Sequence, residues 1–526
     1  MKSRNRTSPT GKRGFLLKLE ALDSRWLPSC MVNFDDGSLM ITGDDAANTI
    51  TVTAAADGTV SVTCDGVTSG PFANVEEISV KAAGGNDQVT VDLSALPSST
   101  PMMSSDDGDD DDDDSDGVFV KMDGGAGDDA LTVTLGDLTN ADREVKLSGN
   151  DGNDTLSVTA GVVTASEVEA NLSGGNGTDT LTFTAGNITD SEVEASLSGG
   201  AGDDTLSFTT GDISNSEVQA KLSGNDGNDT LTATVGAVTN SEVEASLSGG
   251  IGTDALTFTS GAISNDSTSM SSGDDDDDDD DGQVSVSMDG GAGDDTLTTT
   301  LGDITNSEAE VKLSGGDGND TLSATVGAIT NSEVEASLKG GNGDDTLTFT
   351  AGAINHSEVE VSLSGGAGAD TLTSTLGDIT NNSEVEVKLA GYNSGDEYSR
   401  SSGIDGNDTV TATFGVVTDS EVEASLSGGA GDDTLTATFG DITNSELEVS
   451  VSGGDGNDNL SVTLGNVTNS DVETTLKGGA GDDVLALLTG TISADSTIYA
   501  LVDGGAGTDT CTAPAFAIVK NCEILG

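Results

Sequence analysis

Apolar side chains recur along most of the chain in two short alternating runs, and the pair of runs recurs about every 25 residues. In the unit that begins at Gly199, "DTLSFTTG" sets Leu206 and Phe208 between Thr205, Ser207 and Thr209, the period of a strand with one buried face. "DISNS" then places Ile213 ahead of the turn formers Asn215 and Ser216. A second run, "EVQAKLS", sends Val218, Ala220 and Leu222 one way and Glu217, Gln219 and Lys221 the other. A helix is the competing reading of such runs: in "NSEVEASLSG" from Asn240, Ser241 and Glu244 have the spacing of a capping box. Its apolar residues Val243, Ala245 and Leu247 nevertheless run at period two and Gly249 cuts the segment short, so the pattern predicts a strand.

Between the runs lies a loop of the form G-[GN]-x-G-x-D. It opens at Gly124, Gly149, Gly174, Gly199, Gly224, Gly249, Gly290, Gly315, Gly340, Gly365, Gly428, Gly453, Gly478 and Gly504, with a variant, "GIDGND", at Gly403. Each unit offers only about six modest inward side chains, too few for a core of its own, so neighbouring units must bury one another. The expectation is an all-β chain: a right-handed parallel β-solenoid, of β-roll or β-helix type, with about 25 residues per coil. At about 4.8 Å per coil it would form a rod of roughly 70 Å.

The period divides the chain. Residues 1–30 read as a basic leader, 31–97 as divergent β-repeats capping the amino end, and 98–118 as an acidic disordered insertion. Solenoid coils occupy 119–262, 284–389 and 404–503, separated by a poly-aspartate insertion at 263–283 and an insertion loop at 390–403. Residues 504–526 read as a carboxyl-terminal cap. The two acidic insertions, with Asp runs at 106–116 and 274–281, read as solvated loops leaving the rod. Each is followed by a strand-like run and "MDGGAGDD", which points to duplication of a larger segment.

Charge narrows the function. Against 93 acidic residues stand 18 basic ones, a formal net charge of -75, which makes nucleic acid an improbable partner and demands cations wherever carboxylates stack. The leader is basic, but Lys18, Glu20 and Asp23 break its apolar run, unlike the continuous segment of an ordinary secretion signal. No run of apolar residues is long enough for a transmembrane segment. Of the four cysteines, Cys511 and Cys522 are close enough in sequence to close the carboxyl end with a disulfide in an oxidising compartment; two buried thiols are the alternative. No cysteine pair has the spacing or histidine partner of a zinc site.

The loop is where chemistry concentrates. Its fourth-position glycines, Gly127, Gly152, Gly177, Gly202, Gly227, Gly252, Gly293, Gly318, Gly343, Gly368, Gly406, Gly431, Gly456, Gly481 and Gly507, permit the tight corner that turns carbonyl oxygens inward. The sixth position is aspartate in every copy: Asp129, Asp154, Asp179, Asp204, Asp229, Asp254, Asp295, Asp320, Asp345, Asp370, Asp408, Asp433, Asp458, Asp483 and Asp509. Stacked at about 5 Å, these carboxylates repel one another unless cations lie between coils, and calcium favours six to eight oxygen ligands drawn from such carboxylates and carbonyls.

The nine-residue pattern G-G-x-G-x-D-x-[LI]-x, recurring over roughly residues 122–511, resembles that of the haemolysin-type (repeats-in-toxin, RTX) calcium-binding proteins. That resemblance implies parallel β-rolls with several Ca2+ ions between stacked loops, the sixth-position aspartates as ligands, and a secreted or cell-surface location. The chain departs from the family in carrying one nonapeptide per 25 residues, which implies a wider coil with ions along one edge. "LEALDSRWLPS", from Leu19 to Ser29, also resembles the amino-terminal segment of exported proteins of planctomycete bacteria.

The expected function is therefore that of a calcium-stabilised exported structural protein, with calcium ions and cell-surface or matrix components as partners. An alternative is adhesion through outward threonines such as Thr180, Thr182 and Thr184. A polysaccharide-active enzyme ranks last, since the sole histidine, His356, takes the place of Asn or Asp at a repeat turn and no catalytic set stands out.

Overall fold

A computed structural model describes residues 29–97, 117–265, 282–392 and 406–525. The leader up to residue 28, both poly-aspartate runs and Tyr398 of the third insertion lie outside the described residues.

The chain is a parallel β-solenoid of about 15 turns, with no helix among the described residues. In a representative coil the long strand Glu192–Ala201 forms one wall, Thr205–Thr209 the opposite wall, and the two-residue strand Ile213–Ser214 continues that wall beyond a bend. The long strand runs through the first three loop residues, so the turn itself is confined to the fourth, fifth and sixth. Each strand pairs in parallel with its own copy one coil on: Glu192 lies opposite Glu217, Leu197 opposite Leu222, Leu206 opposite Leu231 and Ile213 opposite Val238. The two walls are named here for their outward residues, the glutamate sheet and the threonine sheet.

The period-two patterns fill a narrow interior. Val193, Ala195 and Leu197 meet Leu206, Phe208 and Ile213 there, all buried. Phenylalanines stack where adjacent coils both carry one, as Phe183 and Phe208 do at 5.3 Å and Phe414 and Phe439 at 4.4 Å, and elsewhere a smaller residue is the neighbour, as Ala233 is to Phe208 and Phe258. A core this thin accepts one large ring per level only where a facing position is small.

At the bend beyond Ile213 the backbone turns left-handed, with φ near +50° at Asn215, Asn240 and Asn331. Asn and Asp tolerate that region better than other residues bearing a side chain. His356 occupies the same station with φ +53°, and its Nδ1 lies 3.1 Å from the Asn381 carbonyl oxygen, so it continues the turn.

Register survives every insertion. Val243 lies opposite Val284 across the second, and Leu372 opposite Val410 across the third. The second insertion follows a bend between strands; at the third, the long strand Glu384–Tyr392 pairs with the next coil only as far as Ala390, opposite Ser427, and the ladder loses its last rungs there.

The amino-terminal region combines coil-like parallel strands with antiparallel ones. Strands β1 (Met31–Asp35), β2 (Ser38–Thr42), β3 (Thr49–Ala54), β4 (Val60–Cys64), β5 (Val67–Phe72), β6 (Glu77–Lys81) and β7 (Gln88–Asp92) contain only part of that pattern. β2 and β3 stack in parallel on β6 and β7, which continue into the rod. β1, β4 and β5 fold back antiparallel over them. Antiparallel hairpins occupy the backbone groups that a bare solenoid end would present, and Pro71 in β5 has no N–H to offer a further strand. A disulfide between Cys30 and Cys64, a pairing the sequence reading did not make, ties this cap. Cys511 and Cys522 also form a disulfide, which resolves the alternative of free thiols.

Since each coil contacts only its neighbours, a whole coil is dispensable. Excision of residues 205–229, which joins Asp204 directly to Thr230, is expected to leave a folded rod about 5 Å shorter. Small-angle scattering and circular dichroism would check this; loss of the strand spectrum would show that the coils are not interchangeable.

A candidate cation-binding corner

The loops stack along one edge, and in most of them two adjacent side chains clamp neighbouring coils in opposite directions. The sixth-position aspartate turns inward and reaches back. The backbone N–H of Asp179 donates to Asp204 Oδ1 at 2.7 Å, and that of Asp204 to Asp229 Oδ1 at 2.7 Å. The fifth-position residue reaches forward: the N–H of Asn228 donates to Asp203 Oδ1, and that of Thr253 to Asn228 Oδ1. Where the fifth residue is Thr178, Thr253 or Ala369 the forward clamp lapses, and it restarts from Asp203, Asp294 or Asn407. The inward clamp has no such interruption.

This ladder runs further than the fifteen loops read from the sequence. The N–H of Asp87 donates to Asp129 Oδ1 and that of Asn48 to Asp87 Oδ1, while at the other end the N–H of Asp509 donates to Glu523 Oε2. Asp87 stands in the worn loop "AGGNDQVTV", so the signal was present but its glycine pattern had decayed.

The sixth-position aspartates are almost completely buried: Asp179 and Asp509 are 0 % exposed and Asp204 is 2 %. With Oδ1 occupied by the ladder, one oxygen per carboxylate remains. Oδ2 of Asp87, Asp129, Asp154, Asp179, Asp204 and Asp229, among others, is buried without a hydrogen-bond partner.

That oxygen explains the first glycine of the motif. A methyl group on Gly174 would fall on Asp179 Oδ2 and on the carbonyl oxygen of Gly199 in the next coil; one on Gly340 would meet Asp345 Oδ2 and the Gly365 carbonyl in the same way. The second and fourth glycines serve the backbone instead: Gly200 and Gly202 have φ of +117° and +125°, and side chains there would collide with the previous coil's carbonyls.

Burial without a full set of partners raises the aspartate pKa values. Asp129, Asp154, Asp229 and Asp345 are pushed up to about 6, and Asp204, Asp295 and Asp458 to about 7. Desolvation is the main cause; the donated backbone N–H opposes it, and carboxylates above and below add to it. Ionised neighbours about 4.8 Å apart repel by about 3 kcal/mol per pair at an effective dielectric constant near 20.

The opposite corner holds a ladder that sequence reasoning passed over as a mere turn. Ser216 Oγ donates to the Ser214 carbonyl at 2.8 Å and accepts the Ser191 N–H at 3.0 Å. The recurring Ser before Glu-Val was its signal.

The donor set at the loop corner consists of oxygen alone: one buried carboxylate oxygen per coil beside a backbone carbonyl. Among the described residues no group of three His, Cys, Asp or Glu side chains converges. Oxygen donors of this kind are those that hard cations take, and they differ from the nitrogen and sulfur ligands of soft transition metals. Comparison of the chain with protein-family models and with curated protein sequences gives no match.

The pKa values fix the sign of the metal-free pH dependence. A carboxyl group that holds its proton more tightly when folded contributes stability that is fully present below its unfolded pKa, about 4, and is lost as pH rises through its folded pKa, here about 6 to 7. In chelator, the melting temperature is expected to fall between about pH 4 and about pH 7. A melting temperature that rises over this window would contradict the buried, unpartnered state of Oδ2.

Proposed function

We propose that this chain is a calcium-binding, calcium-stabilised rod that works outside the cell as a structural component of the surface or matrix. The observation that carries the reading is the file of buried Oδ2 atoms over the first loop glycines, beside which, as at Gly174 and Gly340, a carbonyl of the next coil also lies. A buried ionised carboxylate without a partner is costly, so at neutral pH each oxygen needs either a proton or a cation. The aspartates from Asp129 to Asp509 and the loop carbonyls would hold Ca2+, which would supply the positive charge that the column lacks.

Two further features support work in an extracellular setting. Both disulfides belong to an oxidising compartment. Calcium is plentiful outside cells, where weak sites fill. Among the described residues no helix is long and apolar enough to cross a membrane. Structural work, as opposed to catalysis, accords with the repetition: every coil presents nearly the same chemistry.

The test is a calcium titration of the chelator-treated full chain at about pH 7, followed by circular dichroism and thermal melting, with magnesium as control. Calcium, and not magnesium, is expected to raise the melting temperature cooperatively; each site held at a hundred times its Kd adds about 2.7 kcal/mol. A melting temperature indifferent to both calcium and chelator would overturn the proposal.

A paired substitution separates charge from hydrogen bonding. Asp204→Asn with Asp229→Asn keeps an acceptor for each ladder N–H and removes two buried charges. The variant is expected to melt higher than the parent in chelator at about pH 7 and to bind fewer calcium ions by isothermal calorimetry. Unchanged calcium stoichiometry would remove these aspartates from the site.

A further inference from the structure

The two walls of the rod treat charge in opposite ways. On the glutamate sheet, Glu167, Glu192 and Glu217 stack directly, as do Glu169 and Glu194, although glutamate is a poor strand former. On the threonine sheet the three outward positions of the main strand, from Ala130 to Thr512, carry no charged side chain, and the exposed aspartates of that wall, Asp137, Asp212, Asp303, Asp378 and Asp441, lie apart from them at the bend. Strand propensity does not account for this difference, because both walls are solvent-facing parallel strands. On a chain of formal charge -75, this strip of strand positions is uncharged over its whole length although aspartates border it at the bend.

The face is also regular in two dimensions. Three outward positions per coil, such as Thr180, Thr182 and Thr184, align with Thr205, Ser207 and Thr209 in the next. The third position is threonine in every coil from Thr134 to Thr463. Strand geometry spaces these side chains at about 4.8 Å along the rod and about 6.7 Å across it. Among the described residues, the hydroxyls of Thr182, Thr184, Thr348 and Thr350 make no hydrogen bond within the protein.

We infer that the threonine sheet is a docking surface for ice, a partner that is uncharged, flat and itself periodic. Hydroxyls repeated on a grid gain over scattered ones only when the partner's donors and acceptors repeat too. Ice presents rows of oxygen atoms at spacings of the same order, and the methyl groups beside each hydroxyl order the water between them. Crystalline polysaccharide is less suited, because the outward positions from Ala130 to Thr463 include no aromatic ring on which a sugar could stack. A second copy of the chain is less suited as well, since sheets that pack face to face interdigitate apolar side chains and this face has hydroxyls there.

The experiment uses the full chain with saturating calcium, its fold verified by circular dichroism, and measures partition into growing ice and the gap between melting and freezing points. Thr348→Lys with Thr373→Lys places two charges in the middle of the face; Ser450→Lys places one on the opposite wall. The parent and Ser450→Lys are expected to enter the ice and show the gap, and the double variant to be excluded and lose it. Exclusion of the folded parent from ice would overturn the proposal, as would equal loss in Ser450→Lys. A dimer seen by sedimentation and abolished by Thr348→Lys with Thr373→Lys would assign the face to a second copy instead. Because folding is verified separately, failure here leaves the calcium reading standing, and a chain that folds without calcium can still be tested for ice.

Discussion

In-register stacking of each coil on its own copy is the constraint from which the remaining features follow. Parallel pairing at a constant period makes every residue the neighbour of its equivalent, Val193 beside Val218 and Glu192 beside Glu217. A side chain is therefore judged by how well it tolerates itself at about 4.8 Å. Leucine, valine and threonine pass that test, and asparagine gains from it by hydrogen bonding, as Asn469 does to Asn444. Carboxylates fail it.

The chain answers that failure differently at each station. On the glutamate sheet the repulsion is diluted: Gln219 interrupts one column, and Lys221 lies 3.8 Å from Glu194. Even there, burial together with Glu217 and Glu167 raises the pKa of Glu192. At the fifth loop position Asp alternates with Asn, Thr or Ala, so charge is halved while the forward clamp largely persists. Only the sixth position is left undiluted, and there the carboxylate is buried. Substitution by asparagine would keep the ladder and remove the repulsion, yet the column holds aspartate throughout the fifteen loops. The carboxyl group, and not merely a hydrogen-bond acceptor, is thus the constant feature of the column.

Charge sorting gives the rod two faces and an edge with separate physical characters. The glutamate sheet is a field of carboxylates, the loop edge a file of half-satisfied buried ones, and the threonine sheet an uncharged strip of strand positions bordered by aspartates at the bend. A solenoid permits this separation because each column along the rod is a single repeat position, so one choice of residue type is copied along the whole length.

Much of the fold was legible in the sequence because period two and period 25 are both visible in one dimension: Leu206 and Phe208 mark an inward face wherever they recur. The loop motif likewise marked the Asp column, and its unvarying sixth position marked which residue mattered. What the sequence could not say is where each oxygen points. Hydrogen bonding from the preceding coil takes Oδ1, leaving Oδ2 above the first glycine, and that division exists only once two coils are stacked. The antiparallel cap, the Cys30–Cys64 bond and the membership of Asp87 in the ladder were decided at the same level. Each depends on a contact between segments whose spacing breaks the 25-residue rule, and periodicity carries no information about partners that do not share the period.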